Sequence, residues 1–178
     1  MHHTLRFYGQ HRHKFLRFYI SLARFTKVPL IGRLVRRVAD IYGRGGHQGY
    51  LLTLGQAEQI IDASRSVALG PCSCRQVFHN CEAPIMTEIV VGAGVEILSE
   101  VRLGEFRQVS KKEAKDIMRY CHQKRMMHTV MRCRQDFYAI CNCCTCCCVP
   151  IRLRQNYKIN YALVRNKEAL EEFRRQRL

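Results

Sequence analysis

Eight consecutive residues, Cys141-Asn142-Cys143-Cys144-Thr145-Cys146-Cys147-Cys148, hold six thiols with two other side chains between them. So short a segment has no single face able to bury six sulfurs as hydrophobes. Local disulfides are no easier, because the bond holds its two Cα atoms roughly 4.4–6.8 Å apart at a fixed torsion, which neighbours such as Cys146, Cys147 and Cys148 meet only with strain. Thiolates converging on metal remove the difficulty, since one centre accepts several sulfurs. A second group lies upstream at Cys72, Cys74 and Cys81. In extended geometry Cys72 and Cys74 project to one side, roughly 6.6 Å apart along the chain, a separation that lets both sulfurs reach one cluster.

Three chemistries compete for these thiols. Structural zinc uses Cys-x₂₋₄-Cys pairs and closes each ion tetrahedrally; the Cys-x-Cys and Cys-Cys spacings here suit that pattern poorly. A metallothionein spreads its cysteines over a small coreless chain, whereas this one carries eight Phe and eight Tyr. Iron–sulfur ligation fits best, with soft thiolates, apolar Ala139, Ile140 and Val149 beside them to limit solvent access, and Pro150 shortly after the last Cys. The expected ligands are Cys72, Cys74, Cys81, Cys141, Cys143, Cys144, Cys146, Cys147 and Cys148. Cys72, Cys74 and Cys81 are assigned to one centre, completed by a sulfur from the run, and the remaining sulfurs to a second. Two 4Fe-4S cubanes need eight thiolates, so one of the nine is spare or is shared in a larger cluster. Cys121 reads as a core residue, and a ligand role for Cys133 stays open.

The elements that must position these residues follow from capping and periodicity. Thr53-Leu54-Gly55-Gln56 fits a capping box and predicts a helix from Leu54 to about Ser64. Val67-Ala68-Leu69 reads as a buried strand that Gly70-Pro71 ends, and Cys81 follows a loop containing Phe78, His79 and Asn80. Glu88-Ile89-Val90-Val91 is a further strand, with Gly92-Ala93-Gly94 a turn. Ser110-Lys111-Lys112-Glu113 is a second capping box, whose helix buries Ala114, Ile117, Met118 and Cys121 as one stripe. Met127 to Met131 reads as a strand. Asn166 is expected to cap a last helix in which Glu168, Glu171 and Glu172 precede Arg174, Arg175 and Arg177, an order that suits the helix dipole.

The 178 residues, 47% of them hydrophobic, suffice for one ordinary core or two small ones. Eleven cysteines, mostly in two groups, with no apolar signal segment before residue 30, point to a reducing compartment and not to a disulfide scaffold. The longest apolar stretch, Ile89 to Leu98, is far short of a membrane span. The expectation is a cytoplasmic protein, with peripheral contact at the inner face of the membrane left open. Net charge is +16, and from Met1 to Ala39 there are nine Lys/Arg and no acid before Asp40. Lys14 to Val28 reads as an amphipathic helix that Pro29 stops, with Lys14, Arg17, Ser21 and Arg24 on one side and Phe15, Phe18, Tyr19, Leu22 and Phe25 elsewhere on the wheel. Leu30 to Tyr42 is a second amphipathic stretch, ended by a Gly43-Arg44-Gly45-Gly46 loop. Such a surface suits a partner subunit or anionic lipid. Packing on its own domain with a solvated basic face accounts for the pattern equally well. Nucleic acid is not favoured, because no helix-turn-helix, zinc-finger or RNP pattern accompanies the charge.

The segment from about Leu51 to Arg154 resembles a group of 4Fe-4S ferredoxin-like iron–sulfur proteins of anaerobic bacteria and archaea. The resemblance rests on Gly70-Pro71-Cys72-Ser73-Cys74-Arg75, on Ser110-Lys111-Lys112-Glu113-Ala114, and on Ile140-Cys141-Asn142-Cys143-Cys144-Thr145-Cys146-Cys147-Cys148. It implies cluster binding and electron transfer and supplies no substrate. Two departures stand out. Thr87-Glu88 lies where the family often has a further Cys, and no two-cluster ferredoxin module follows the last motif.

These readings together predict an α+β fold: a small mixed α/β iron–sulfur domain (47–154), preceded by a basic helical docking extension (1–46) and followed by a charged tail and helix (155–178). The expected function is a non-enzymatic electron-transfer subunit of an anaerobic redox complex, carrying two 4Fe-4S clusters and docking on redox partner subunits. Removing Met1 to Pro29 is then expected to spare the clusters and abolish docking. One alternative is a catalytic reductase subunit whose cluster, with Glu88 nearby, binds a substrate. Another is a basic nucleic-acid-binding protein stapled by metal.

Overall fold

The computed structural model describes residues 2–165 and 168–176. Its fold is α+β, as expected, built on one seven-stranded sheet of order β4-β2-β3-β6-β5-β1-β7. The strands are β1 (His47–Leu52), β2 (Val67–Pro71), β3 (Met86–Val90), β4 (Arg107–Val109), β5 (Met127–Cys133), β6 (Asp136–Cys143) and β7 (Leu163–Arg165). All neighbours pair antiparallel except β1 with β7. Helices cover both faces: α1 (His3–Ala23), α2 (Gly32–Gly45), α3 (Leu54–Ala63), α4 (Ser73–Phe78), α5 (Gly94–Val101), α6 (Lys111–Gln123), α7 (Val149–Tyr157) and α8 (Ala169–Gln176).

Side-chain alternation along the strands divides the core in two. Val67, Leu69, Ile89, Val130 and Ile140 face α3, α6 and α8. Ala68, Val90, Met131 and Ala139 face α1 and α5. An unpaired Tyr138, where the β5–β6 register shifts, bends β6 beside the second face. Thr53 and Gln56 form the full capping box predicted for α3. At α6 only half of the predicted box forms: Ser110 accepts from the Glu113 amide, while the Glu113 carboxylate turns to Arg107 instead. Ala114, Met118 and Cys121 are buried along the predicted stripe.

The N-terminal region departs from expectation. The first helix begins at His3 and ends at Ala23, with a 3₁₀ turn over Arg24–Lys27. Its buried row is Leu5, Tyr8, Arg12, Leu16 and Ile20, spaced three and four apart, while Phe18, Leu22 and Phe25 stay exposed. Of the predicted apolar face, Phe15 and Tyr19 pack against the core while Phe18, Leu22 and Phe25 do not, so the buried face is centred on Leu16 and Ile20 instead. This row seats α1 on the sheet beside α5 and over α4 and α7. The segment is packed into the domain, and removing it would uncover the core. The helix α2 runs through the expected glycine loop, since a Cβ at Gly43 would lie 2.9 Å from the Tyr161 backbone and glycine alone permits that approach. At the other end, Ala169 and Phe173 of α8 join the first core cluster, so the last helix packs on the body too. The boundary expected at 154/155 falls inside α7. The proposed cap Asn166 lies outside the described residues.

Leu5 is fully buried and Leu34 is 62% exposed. Leu5→Ala should therefore destabilise the protein by about 2–5 kcal/mol, and Leu34→Ala should stay within about 0.5 kcal/mol, read from denaturant midpoints.

Candidate metal centre

All nine predicted ligands gather at one end of the sheet, in two adjacent groups. Three local structures deliver them. At the end of β2, Cys72 becomes the N-cap of α4 and Cys74 lies in its first turn. The extended arrangement expected for this pair is thus replaced by a helical turn, because Pro71 ends the strand ladder one residue earlier. After α4 the chain reverses at His79, in the left-handed region with φ 46°. Asn80 then donates to the Cys146 carbonyl at 2.9 Å, fixing the approach of Cys81 to the cysteine run. The run itself is only partly a loop. Cys141 and Cys143 are on β6, pointing to the α1 side two residues apart. Cys144 to Cys147 form a turn closed by the Cys148 amide on the Cys144 carbonyl, and Cys148 caps α7.

The outer group comprises Cys81, Cys144, Cys146 and Cys147, whose sulfurs all lie within 4.8 Å of one another. Cys81 is 3.7 Å from both Cys144 and Cys147, and Cys146 is 3.9 Å from Cys147. A tetrahedral ion with metal–sulfur bonds near 2.3 Å separates its sulfurs by roughly 3.8 Å. These four thiols can hold a metal ion as they stand. The inner group, Cys72, Cys74, Cys141, Cys143 and Cys148, is set deeper. Cys141, Cys143, Cys148 and Cys74 are linked thiol to thiol, with Cys72 close to Cys74 and Cys143. Among the described residues only the outer four bring three or more ligand atoms within 4.8 Å of one another. The expected partition is corrected accordingly: Cys81 leaves Cys72 and Cys74 and joins the run, because the turn after α4 carries it past the outer side.

Hydrogen bonds set which inner thiols ionise most readily. Cys143 is held well below the ordinary thiol range by bonds from Cys141 and Cys148, helped by Thr129 at 3.5 Å and by Arg75. Cys74 is lowered chiefly by Cys148 and also by the Val149 amide, 3.5 Å away. Their partners Cys141 and Cys148 move the opposite way, and burial pushes Cys72 up. Metal loading of this group must therefore release protons.

The cation between the groups is Arg75. It is 1% exposed, donates to the Asn142 carbonyl at 3.1 Å and to the Thr87 hydroxyl, and acts on Cys72, Cys144 and Cys143. Asn142 is itself fixed: its amide donates to the Thr87 carbonyl at 2.8 Å, and its side-chain oxygen meets His128 Nδ1 at 2.7 Å. His128 in turn meets His122 at 3.1 Å. Glu88 lies beside Cys141, but one oxygen is engaged by Arg12 at 2.6 Å. His79 is exposed. Cys121 and Cys133 lie outside both groups, each pushed up to about 11 by burial.

Sequence reasoning missed Arg75, Arg12 and Asn142 as parts of this site. Arg75 and Asn142 stand inside the quoted motifs, which was the available signal. Nothing in the chain distinguishes Arg12 from the other members of a 30-residue Lys/Arg set. The fold and the cysteines define a small α+β protein with a thiol group able to hold a metal ion. Set against known protein families, curated proteins and solved structures, the chain matches none. No helix among the described residues is long and apolar enough to cross a membrane.

The two groups should empty independently. Cys81→Ser should lower the metal content of the outer group alone, and Cys72→Ser that of the inner group alone, measured as metal per folded chain. Arg75→Met should weaken both.

Proposed function

We propose that this protein is an iron–sulfur electron-transfer subunit, with the inner cysteines holding a cluster and the outer four a second centre that faces a redox partner subunit. The observation that carries the reading is the convergence of nine thiols, from three separated stretches of chain, on one end of the sheet. Soft ligands in this number suit iron–sulfur chemistry, and the motif resemblance points the same way. The burial of Cys72, Cys143 and Cys148 suits an electron held away from water. Cys81, Cys144 and Cys146 are partly exposed, which gives electrons a short exit to a docked partner.

A second reading of the outer group rests on its spacing. In a cubane each thiolate binds a different iron, so the four sulfurs stand farther apart than around a single ion. Distances of 3.7–3.9 Å favour one tetrahedral ion, iron or zinc, at this position. Iron, acid-labile sulfide and zinc per chain of anaerobically purified protein separate the two. Equal iron and sulfide at two cubanes' worth supports two clusters. One cubane plus one further ion supports the mixed arrangement. Zinc alone, with no visible absorption, overturns the iron–sulfur reading.

We also propose peripheral attachment to an anionic membrane through α2. Its exposed face carries Leu34, Val38 and Ile41, flanked by Leu30 and by Arg33 and Arg37. An aliphatic row edged with arginine suits the boundary between headgroups and acyl chains. Leu34→Ser with Ile41→Ser leaves net charge unchanged and should weaken co-sedimentation with anionic vesicles roughly 10-fold or more. Unchanged co-sedimentation would make the attachment purely electrostatic and remove α2 as its anchor.

A further inference from the structure

A cavity of about 420 Å³ lies between α1, α2 and the sulfur-bearing face of the sheet. Its sulfur-lined end is formed by the five inner cysteines together with Cys144 of the outer group. The walls supplied by α1 and α2 include Phe15, Leu16, Tyr19, Leu22, Val35 and Val38, and contain no Cys, His, Asp or Glu. Val38 and Leu22 are partly open to solvent, so the cavity has an apolar mouth on this side.

Polar atoms are few in this lining, and several lack partners. Arg12 and Glu88, 5% and 1% exposed, form an ion pair at 2.6 Å through Nη1 and Oε1. Arg12 Nε and Glu88 Oε2 are buried with no hydrogen-bond partner, as is His47 Nδ1. His47 Nε2 meets the Tyr138 hydroxyl at 2.8 Å, and Tyr138 lines the same cavity. Five such orphan side-chain atoms occur among the described residues, and three of them belong to this one lining. Leaving buried polar groups unpaired is costly, and natural proteins keep few of them.

The chemistry of the missing partner follows from these atoms. The guanidinium and carboxylate cancel, so a ligand with net charge would be left uncompensated in an apolar space. Arg12 Nε asks for an acceptor and Glu88 Oε2 for a donor. The remaining volume asks for an extended apolar body. We propose that the cavity binds a neutral lipophile of the quinone or quinol class, its oxygenated ring at Arg12, Glu88 and His47 and its tail along α1 and α2. Binding of this ligand does not depend on which metal the thiols carry.

The test uses full-length, metal-replete protein and a fully substituted benzoquinone with a decyl tail, whose ring has no open position for thiol addition. Equilibrium dialysis should show saturable binding at one per chain. Decylbenzene, which keeps the tail and lacks the oxygens, should bind at least 10-fold more weakly. The double variant Arg12→Met with Glu88→Leu removes both charges together, so neither is stranded, and should abolish the preference between the two ligands while metal content holds. The sequence has no Trp, so Val38→Trp provides a reporter at the mouth that the quinone should quench to saturation. Absence of saturable binding, or equal affinity for quinone and decylbenzene in the unaltered protein, overturns the proposal. Neither outcome bears on the iron and sulfide count.

Discussion

Gathering nine thiols in one place sets the central constraint of this molecule, because each ionised sulfur repels the next in a medium far less polar than water. Arg75 answers it. Its guanidinium keeps its charge at any accessible pH and lies between the two groups. The acceptors that hold it, the Asn142 carbonyl and the Thr87 hydroxyl, are neutral. Among the described residues no carboxylate is bonded to it, so its charge remains available to Cys72, Cys143 and Cys144. This requires β3 and β6 to be adjacent, since Thr87 and Asn142 come from those strands, and α4 to follow β2 immediately, since it carries Arg75 inward.

The two groups then differ by depth. Inner sulfurs sit between the sheet and α1, with helix caps at Cys72 and Cys148. Outer sulfurs sit on a turn and a loop at the edge. Depth affects metal chemistry directly: a buried centre is shielded from water and has a shifted potential, whereas an edge centre exchanges electrons and ligands more readily. A single end of one sheet can thus offer two unlike environments to the same ligand type.

The basic N-terminal region serves two surfaces at once. One row of α1, from Leu5 to Ile20, completes the core and places Arg12 against Glu88. The opposite row, with Lys14 and Arg17, faces solvent, as does Arg24 in the 3₁₀ turn that follows. A buried ion pair gains little net stability, because desolvation of both charges offsets their attraction. Its presence within an otherwise apolar cavity is better understood as a feature of that cavity than as a staple for the helix.

Much of this was legible in the residues. The density of Cys141 to Cys148 pointed to metal-type chemistry, and the structure brings Cys144, Cys146 and Cys147 of that run together with Cys81 in a group able to hold an ion. Caps and periodicity specified α3 and α6, since Thr53 and Ser110 act on residues three positions away. Partition of the sulfurs was not legible: Cys81 could join either group until the turn at His79 and the bond from Asn80 aimed it outward. The role of the arginines was equally hidden. Arg12, Arg75 and Arg17 are the same side chain, and burial beside Glu88 or beside thiols is a property of the packed sheet. The docking role read for residues 1–46 failed to anticipate the packing of α1 for a related reason, as periodicity identifies an apolar face without naming what covers it. Short-range hydrogen bonds and ligand type are written in the chain, whereas which distant groups share a dielectric, a charge or a cavity is decided only when the sheet closes.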